Sequence, residues 1–401
     1  MSSNRGLPVA MACMAAAMTA CGEPTSDSGR HMDELAPLGY TEELRIGSVE
    51  DPDFGFSEVR QVRVSDRGDV FVLDAMSRDV RVFDSDGELL RVIGGPGEGP
   101  GEFASPVSMG LLGDTLWVAD VRNRRIIWFS ADGELLWTTP TLGATVESGV
   151  RGVTLTVVPS RPLPDGFIES DRAIMVGSDR EIRPYRYPVV LFNRDGEVVD
   201  TVRWETADES AVSFRVGGRQ GYAPVLRPAR PVDIAAPDGR VIVDWSVPEN
   251  TTDGTMTIVR LDSAGDTAYS TDLRYTAVPV PSSVLDSLVT PMLVVAGSMG
   301  ATERELESAL RSAIQLPTHR PPVRTVRAGA DGSVWLQLNA PDDDAADWTV
   351  VASNGQPRGR VRLPARMQIH HSALPTVWVV ELDEFDVPWL VRLSVDQERQ
   401  P

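Results

Sequence analysis

The side chains suited to chemistry in this 401-residue chain are four histidines, two cysteines and a set of Asp and Arg residues that end strand-like runs. A catalytic zinc takes about three protein ligands plus water. His31 sits in a polar stretch near the N-terminus, His319 stands alone, and His370 and His371 are neighbours on one apolar-polar run. Successive residues of a strand face opposite ways, so only one of that pair should reach a common site. A three-His centre is thereby excluded. A mixed His/Asp divalent site is the one metal arrangement left open, and no cofactor is expected. The residues placed to bind a ligand are Asp74, Arg78, Asp120, Arg122, Arg124, Asp244, Trp245 and His370. Paired Arg and Asp could clasp a polar or carboxylate-bearing group, Arg supplying bidentate geometry. An Asp at a strand end also commonly bonds the backbone of its own loop.

Other motif-like strings fail on spacing. Asp342-Asp343-Asp344 lacks the Asp-x-Asp-x-Asp-Gly pattern of a calcium loop. Gly94 to Phe103, GGPGEGPGEF, lacks the Lys and Ser/Thr of a phosphate loop and leads into a strand, so it reads as a tight connection. The chain has no Gly-x-Ser-x-Gly elbow. No catalytic residue can be assigned.

The candidates are positioned by a repeat. Asp74 to Leu90, DAMSRDVRVFDSDGELL, returns without a gap as Asp120 to Leu136, DVRNRRIIWFSADGELL. Short alternating strands joined by Asp-Gly turns at such a period predict propeller blades. In one copy Val62 to Val64, Val70 to Leu73, Val80 to Phe83 and Glu88 to Ile93 form two hairpins, hence a four-stranded antiparallel sheet. Both faces of that sheet are apolar, so it must stack on neighbours. An apolar residue four before a turn Gly marks further blades at Phe192, Leu261 and Val351, and Thr376 to Leu382 with Pro388 to Val395 gives the last. The fold class is therefore all-β, a six-bladed β-propeller. Glu43 to Gly47 resembles an outer strand and is expected to complete the final blade, closing the ring. Between blades four and five, Pro281 to Pro317 exceeds any blade connection; Thr302 to Glu305 has capping-box spacing and Leu306, Leu310 and Ile314 follow at helical spacing, which predicts a helical insertion.

The stretch Gly94 to Phe103, followed by Leu116-Trp117-Val118-Ala119-Asp120 and Arg125-Ile126, resembles the NHL-repeat propellers. The whole arrangement resembles a group of bacterial six-bladed, TolB-like propeller lipoproteins. The resemblance covers Asp53 to about Thr139; later blades depart from it, with Arg183 where the family's Asp would stand. The propeller, the lipid anchor that the N-terminus implies and the lack of a catalytic constellation point to a binding module, and because lactonases and amidating lyases share the six-bladed form, a metal-assisted hydrolase or lyase is the alternative.

The N-terminus sets location. Arg5 precedes an apolar run, Leu7 to Ala20, too short to span a bilayer, and Met18-Thr19-Ala20-Cys21 looks like a bacterial lipobox with Cys21 the acylated residue. The expected organisation is a signal peptide at 1–20, an acylated Cys and flexible tether at 21–39, and the propeller at 40–401. Cys13 lies in the removed segment, so the mature chain can form no internal disulfide. The net charge of −20, with Arg as the sole fixed cation, repels phosphate backbones and argues against nucleic acid. The sequence thus points to a monomer in the bacterial cell envelope, meeting the membrane through its lipid and binding an envelope protein, peptide or glycan.

Overall fold

The computed structural model describes residues 29–396 apart from 52, 148–153, 164, 171–173, 177–184, 208–210, 225–230, 237, 249–250 and 340–343. Cys13, Cys21, Arg183, Asp342 and Asp343 lie outside the described residues, as do the proposed signal peptide and the first part of the tether.

Blade one shows how the local sequence becomes a sheet. Val59–Val64, Val70–Asp74, Asp79–Phe83 and Leu89–Gly94 pair in that order, each antiparallel to the next. Gly68 turns the first hairpin at φ 91°, a backbone state that a side chain would oppose. Five further four-stranded sheets repeat the plan at 106–140, 159–207, 232–276, 323–364 and 367–395. The fold is a six-bladed β-propeller. Tyr40–Ile46 supplies the outer strand of blade six, with Tyr40 opposite Val395 and Ile46 opposite Leu390. First and last segments of the chain therefore share one sheet, which closes the ring.

Residues 29–38, expected as the end of a flexible tether, instead lie along blades four and five. Pro37–Leu38 adds in parallel to the outer strand of blade five, His31 bridges to Arg274, and Met32 and Leu35 are buried. Two apolar side chains that gain burial explain the docking, each stabilising by about 1.5–3 kcal/mol before ordering costs.

Among the described residues, apolar clusters fill five of the six interfaces between blades. Between blades one and two, Phe71, Leu73, Phe103 and Phe129 pack together. Phe103 reaches that core from the Gly-rich connection, which folds back through Phe103 N–H to Gly95 O at 2.7 Å and Gly97 N–H to Phe103 O at 3.0 Å. Between blades three and four the filling is ionic. Glu169, its side chain 6% exposed, pairs with Arg161 and Arg203, and Arg240 of blade four approaches it at 3.7 Å and Glu205 at 3.8 Å. Tyr187 donates its hydroxyl to Glu205 at 2.7 Å, and Arg240 binds Asp233 at 2.6 Å. Burial pushes the Glu169 carboxyl up, but hydrogen bonds from Arg161 and Arg203 outweigh it and hold the group below the usual carboxylate range.

The oversized connection between blades four and five carries α1 (Ser283–Met292) and α2 (Glu303–Ala313). Thr302 caps α2 in a reciprocal box with Glu305, as its spacing predicts. A second insertion, not evident in the sequence, is the hairpin Ala211–Val216 and Arg219–Pro224 between blades three and four. Ala223 from the hairpin, Val289 from α1 and Leu306 and Leu310 from α2 form one separate core. Arg219 donates to Ser298 O across the same contact. The two insertions thus make a single lobe that brackets blade four.

Candidate functional site

A blade has two ends. Outer-to-inner connections and second-to-third turns emerge on one face, here called upper; the two remaining turns of each blade emerge on the lower face. Both insertions belong to the upper face by this topology.

The expected ligand-binding residues fall into three groups. Asp74, 0% exposed, accepts N–H groups from Ser57 at 2.6 Å, Glu58 at 3.1 Å, Met76 at 3.1 Å and Ser77 at 3.0 Å. Asp120 does the same for Ala104 at 2.9 Å and Ser105 at 2.8 Å and accepts Asn123 Nδ2 at 2.8 Å. Each carboxylate ties the incoming connection of its blade to the following turn, the loop-bonding role open to such residues. Arg78 and Arg124 take equivalent places in those turns with φ of 60° and 50°, left-handed states that are strained for a side-chain residue. Arg122 and Arg124 are exposed and Arg78 is half-buried.

Trp245 requires a correction. It is 7% exposed and packs in the apolar cluster of blades four and five, so it is core and no platform for a ligand. Alternation along Gly239–Ser246 explains this, since Val241, Val243 and Trp245 share the buried face while Asp244 points outward. Asp244 Oδ1 accepts the Trp245 N–H at 2.8 Å.

His370 lies on the inner strand of blade six, Met367–Ala373. The strict alternation behind the expectation that only one of His370 and His371 faces the channel does not hold here, because a β-bulge interrupts the strand between Ile369, opposite Val379, and His371, opposite Trp378. Burial lowers both imidazoles to about 4. The charges of Arg327 and Arg63 add to this at His370; at His371 Arg63 adds and Asp331 opposes. Both rings are therefore neutral at pH 7.

Arg63 and Arg327 are functional candidates that the sequence reading missed. They sit on the inner strands of blades one and five, on either side of blade six. A signal was present: Val59-Arg60-Gln61-Val62-Arg63 and Val323-Arg324-Thr325-Val326-Arg327 follow the same pattern. Ala330 N–H to Ser372 O at 2.7 Å and Leu374 N–H to Asp331 Oδ2 at 3.0 Å join blade five to blade six beside them.

At the upper face a cavity of about 240 Å³ opens between Met32, Asp33, Tyr275, Val278, Arg320 and Leu338, where the chain returns from the lobe into blade five. Its lining is mainly apolar, with Asp33 and Arg320 as opposite charges. Among the described residues no group of three or more His, Cys, Asp or Glu could hold a metal ion, and no helix is long and apolar enough to cross a membrane.

A family match agrees with this architecture. Residues 51–143 match the family DUF5128, described as a 6-bladed beta-propeller. A Bacteroides fragilis protein described as exported is similar in structure at 12% identity and a TM-score of 0.49, over 92% of this chain and 98% of that one. A DUF4221 member from Bacteroides vulgatus has 10% identity and a TM-score of 0.43, over 90% and 98%. Virginiamycin B lyase from Staphylococcus aureus has 12% identity and a TM-score of 0.37, over 89% and 99%. No curated protein matches the chain.

Proposed function

We propose that this protein is a lipid-anchored propeller of the bacterial cell envelope, resembling the NHL-repeat lipoproteins, that binds an envelope protein, peptide or glycan on its upper face. The observation that carries the reading is the lobe. Two insertions from different blade connections fold onto one another around their own core, beside a cavity of about 240 Å³. Ordering these segments costs about 1–2 kcal/mol of backbone entropy per residue, and neither contributes a strand to any blade. The lobe also presents Val294, 86% exposed, with Val295 beside it, an exposed apolar pair of the kind that partners cover. Anchoring rests on the sequence around Cys21, and binding at the end of a rigid scaffold follows the usual division of labour between frame and loops.

The test replaces residues 211–224 and 283–316 each with a short Gly/Ser linker, removing the lobe without leaving half its core exposed. The ring should stay folded by circular dichroism while cross-linked envelope partners recovered with the wild type disappear. Recovery of the same partners in the same yield would refute the reading.

A further inference from the structure

We propose that the propeller channel binds an oxyanion, the carboxylate or phosphate group of a small ligand, between Arg63 and Arg327 beside the His370-His371 bulge. Blades five, six and one are consecutive around the closed ring. Arg327, His371 and Arg63 take the same rung on their inner strands, each opposite a large buried aromatic: Trp335, Trp378 and Phe71. Side chains of directly opposed residues share one face of a sheet. The aromatic rings fill the space between blades and leave the inner-strand residue on the axial side of each.

Pairing separates Arg63 and Arg327 from the shielded arginines that meet a carboxylate, a difference shared by Arg125 of blade two, which donates to Gly99 O and Glu102 O at 2.8 Å. Arg81, Arg161, Arg203, Arg240 and Arg260, all at least two-thirds shielded, each stand within 4 Å of a carboxylate. Arg63 has a hydrogen bond to Val62 O at 2.8 Å, and the Arg327 Nε–H is buried with no acceptor. Among the described residues neither guanidinium has an ion-pair partner. Asp331, the carboxylate acting on His371, is already engaged by Ser333 N–H at 3.1 Å, Ser333 Oγ at 2.6 Å and Leu374 N–H at 3.0 Å. Like charges held together without a counter-charge disfavour the empty arrangement, and an unsatisfied buried donor adds to that cost. An oxyanion between them removes both penalties, and the planar guanidinium matches the two oxygens of a carboxylate or phosphate. The arrangement stands out in a chain of net charge −20. Arg63 and Arg327 are each one residue from the end of an inner strand, so this site opens toward the lower face, away from the lobe.

Calorimetric titration of the full-length protein in detergent, with citrate and with inorganic phosphate at constant ionic strength, tests the proposal. Saturable binding of one or both is expected, weakened at least tenfold in Arg63→Gln and in Arg327→Gln and unchanged in Arg67→Gln, an exposed control. Tighter citrate binding would assign a carboxylate, tighter phosphate binding a phosphate group. Absence of saturable binding by both anions, or binding indifferent to both channel variants, would overturn the proposal. Should a variant fail to fold, the His370 and His371 ring resonances of the wild type decide: they shift on titration if the anion sits there and stay fixed if it does not.

Discussion

Arg63 and Arg327 hold the same rung in two hairpins from opposite ends of the chain, Arg63 across from Phe71 and Arg327 across from Trp335. Ring closure sets their blades on either side of blade six, where both charges act on His370. A repeat pattern that is unremarkable in either copy becomes a local electrostatic feature once the ends of the chain meet.

Burial of the two imidazoles, with the arginine charges adding to it, makes stability depend on pH. Each imidazole titrates at about 4 in the folded state against about 6.5 in the unfolded chain. The folded protein then binds fewer protons than the unfolded one, so the contribution is complete above about 6.5 and is lost as pH falls toward about 4. Melting curves from pH 7.5 to 4.5 should show a falling Tm, and the His370→Gln/His371→Gln variant should flatten the profile. An equal slope in wild type and variant would contradict the assignment.

The ionic seam between blades three and four predicts a different response. Glu169→Gln leaves Arg161 and Arg203 without their buried counter-charge. Both arginines keep about a third of their surface exposed and can turn to solvent, so the loss is set at about 1–3 kcal/mol, below the full cost of breaking a buried pair. Because the folded Glu169 carboxyl is depressed, its stabilisation is present above the ordinary carboxylate pKa of 4.5 and fades as pH drops below it. Urea titrations at pH 7 and pH 4 measure both effects; a variant as stable as wild type at pH 7 would count against the seam.

Architecture was legible where the backbone repeats, and sites were not. Phe83 with Gly87 and Phe129 with Gly133 mark hairpins because a turn's demand for positive φ is local, and Glu43 to Gly47 could be matched to Leu89–Gly94 by pattern alone, although the strand itself begins earlier, at Tyr40. The bulge at His370 was invisible because alternation assumes one residue per rung. The hairpin at 211–224 was missed for a similar reason: its apolar residues serve a core shared with α1 and α2, far away in sequence. Trp245 looked like a site residue because a strand-end aromatic is ambiguous until its neighbours are known.

Ring closure carries its own expectation. Ile46 is buried with Leu390, Phe83 and Trp378, where blade six meets blade one. Ile46→Ala should cost about 2–5 kcal/mol through lost transfer energy and the cavity left behind. Deleting residues up to Gly47 should expose the edge of Pro388–Val395 and promote aggregation. An unchanged urea midpoint for Ile46→Ala would show that the strand is not needed for closure.

The anchor is tested by partition. Two acyl chains on Cys21 would hold the protein firmly to a bilayer, where one would hold it only marginally. Wild type should enter the detergent phase, and Cys21→Ser should stay in the aqueous phase or remain uncleaved. Wild type found wholly in the aqueous phase would rule out the anchor.

The central claim, that the upper-face lobe is where a partner binds, is tested most directly by site-specific photo-cross-linking in intact cells. A benzophenone side chain at Val294, exposed on the lobe, is compared with one at Asp66, in an exposed lower-face turn of blade one. The account predicts a discrete adduct from position 294 and none from position 66. Adducts from position 66 alone, or equal adducts from both, would contradict it.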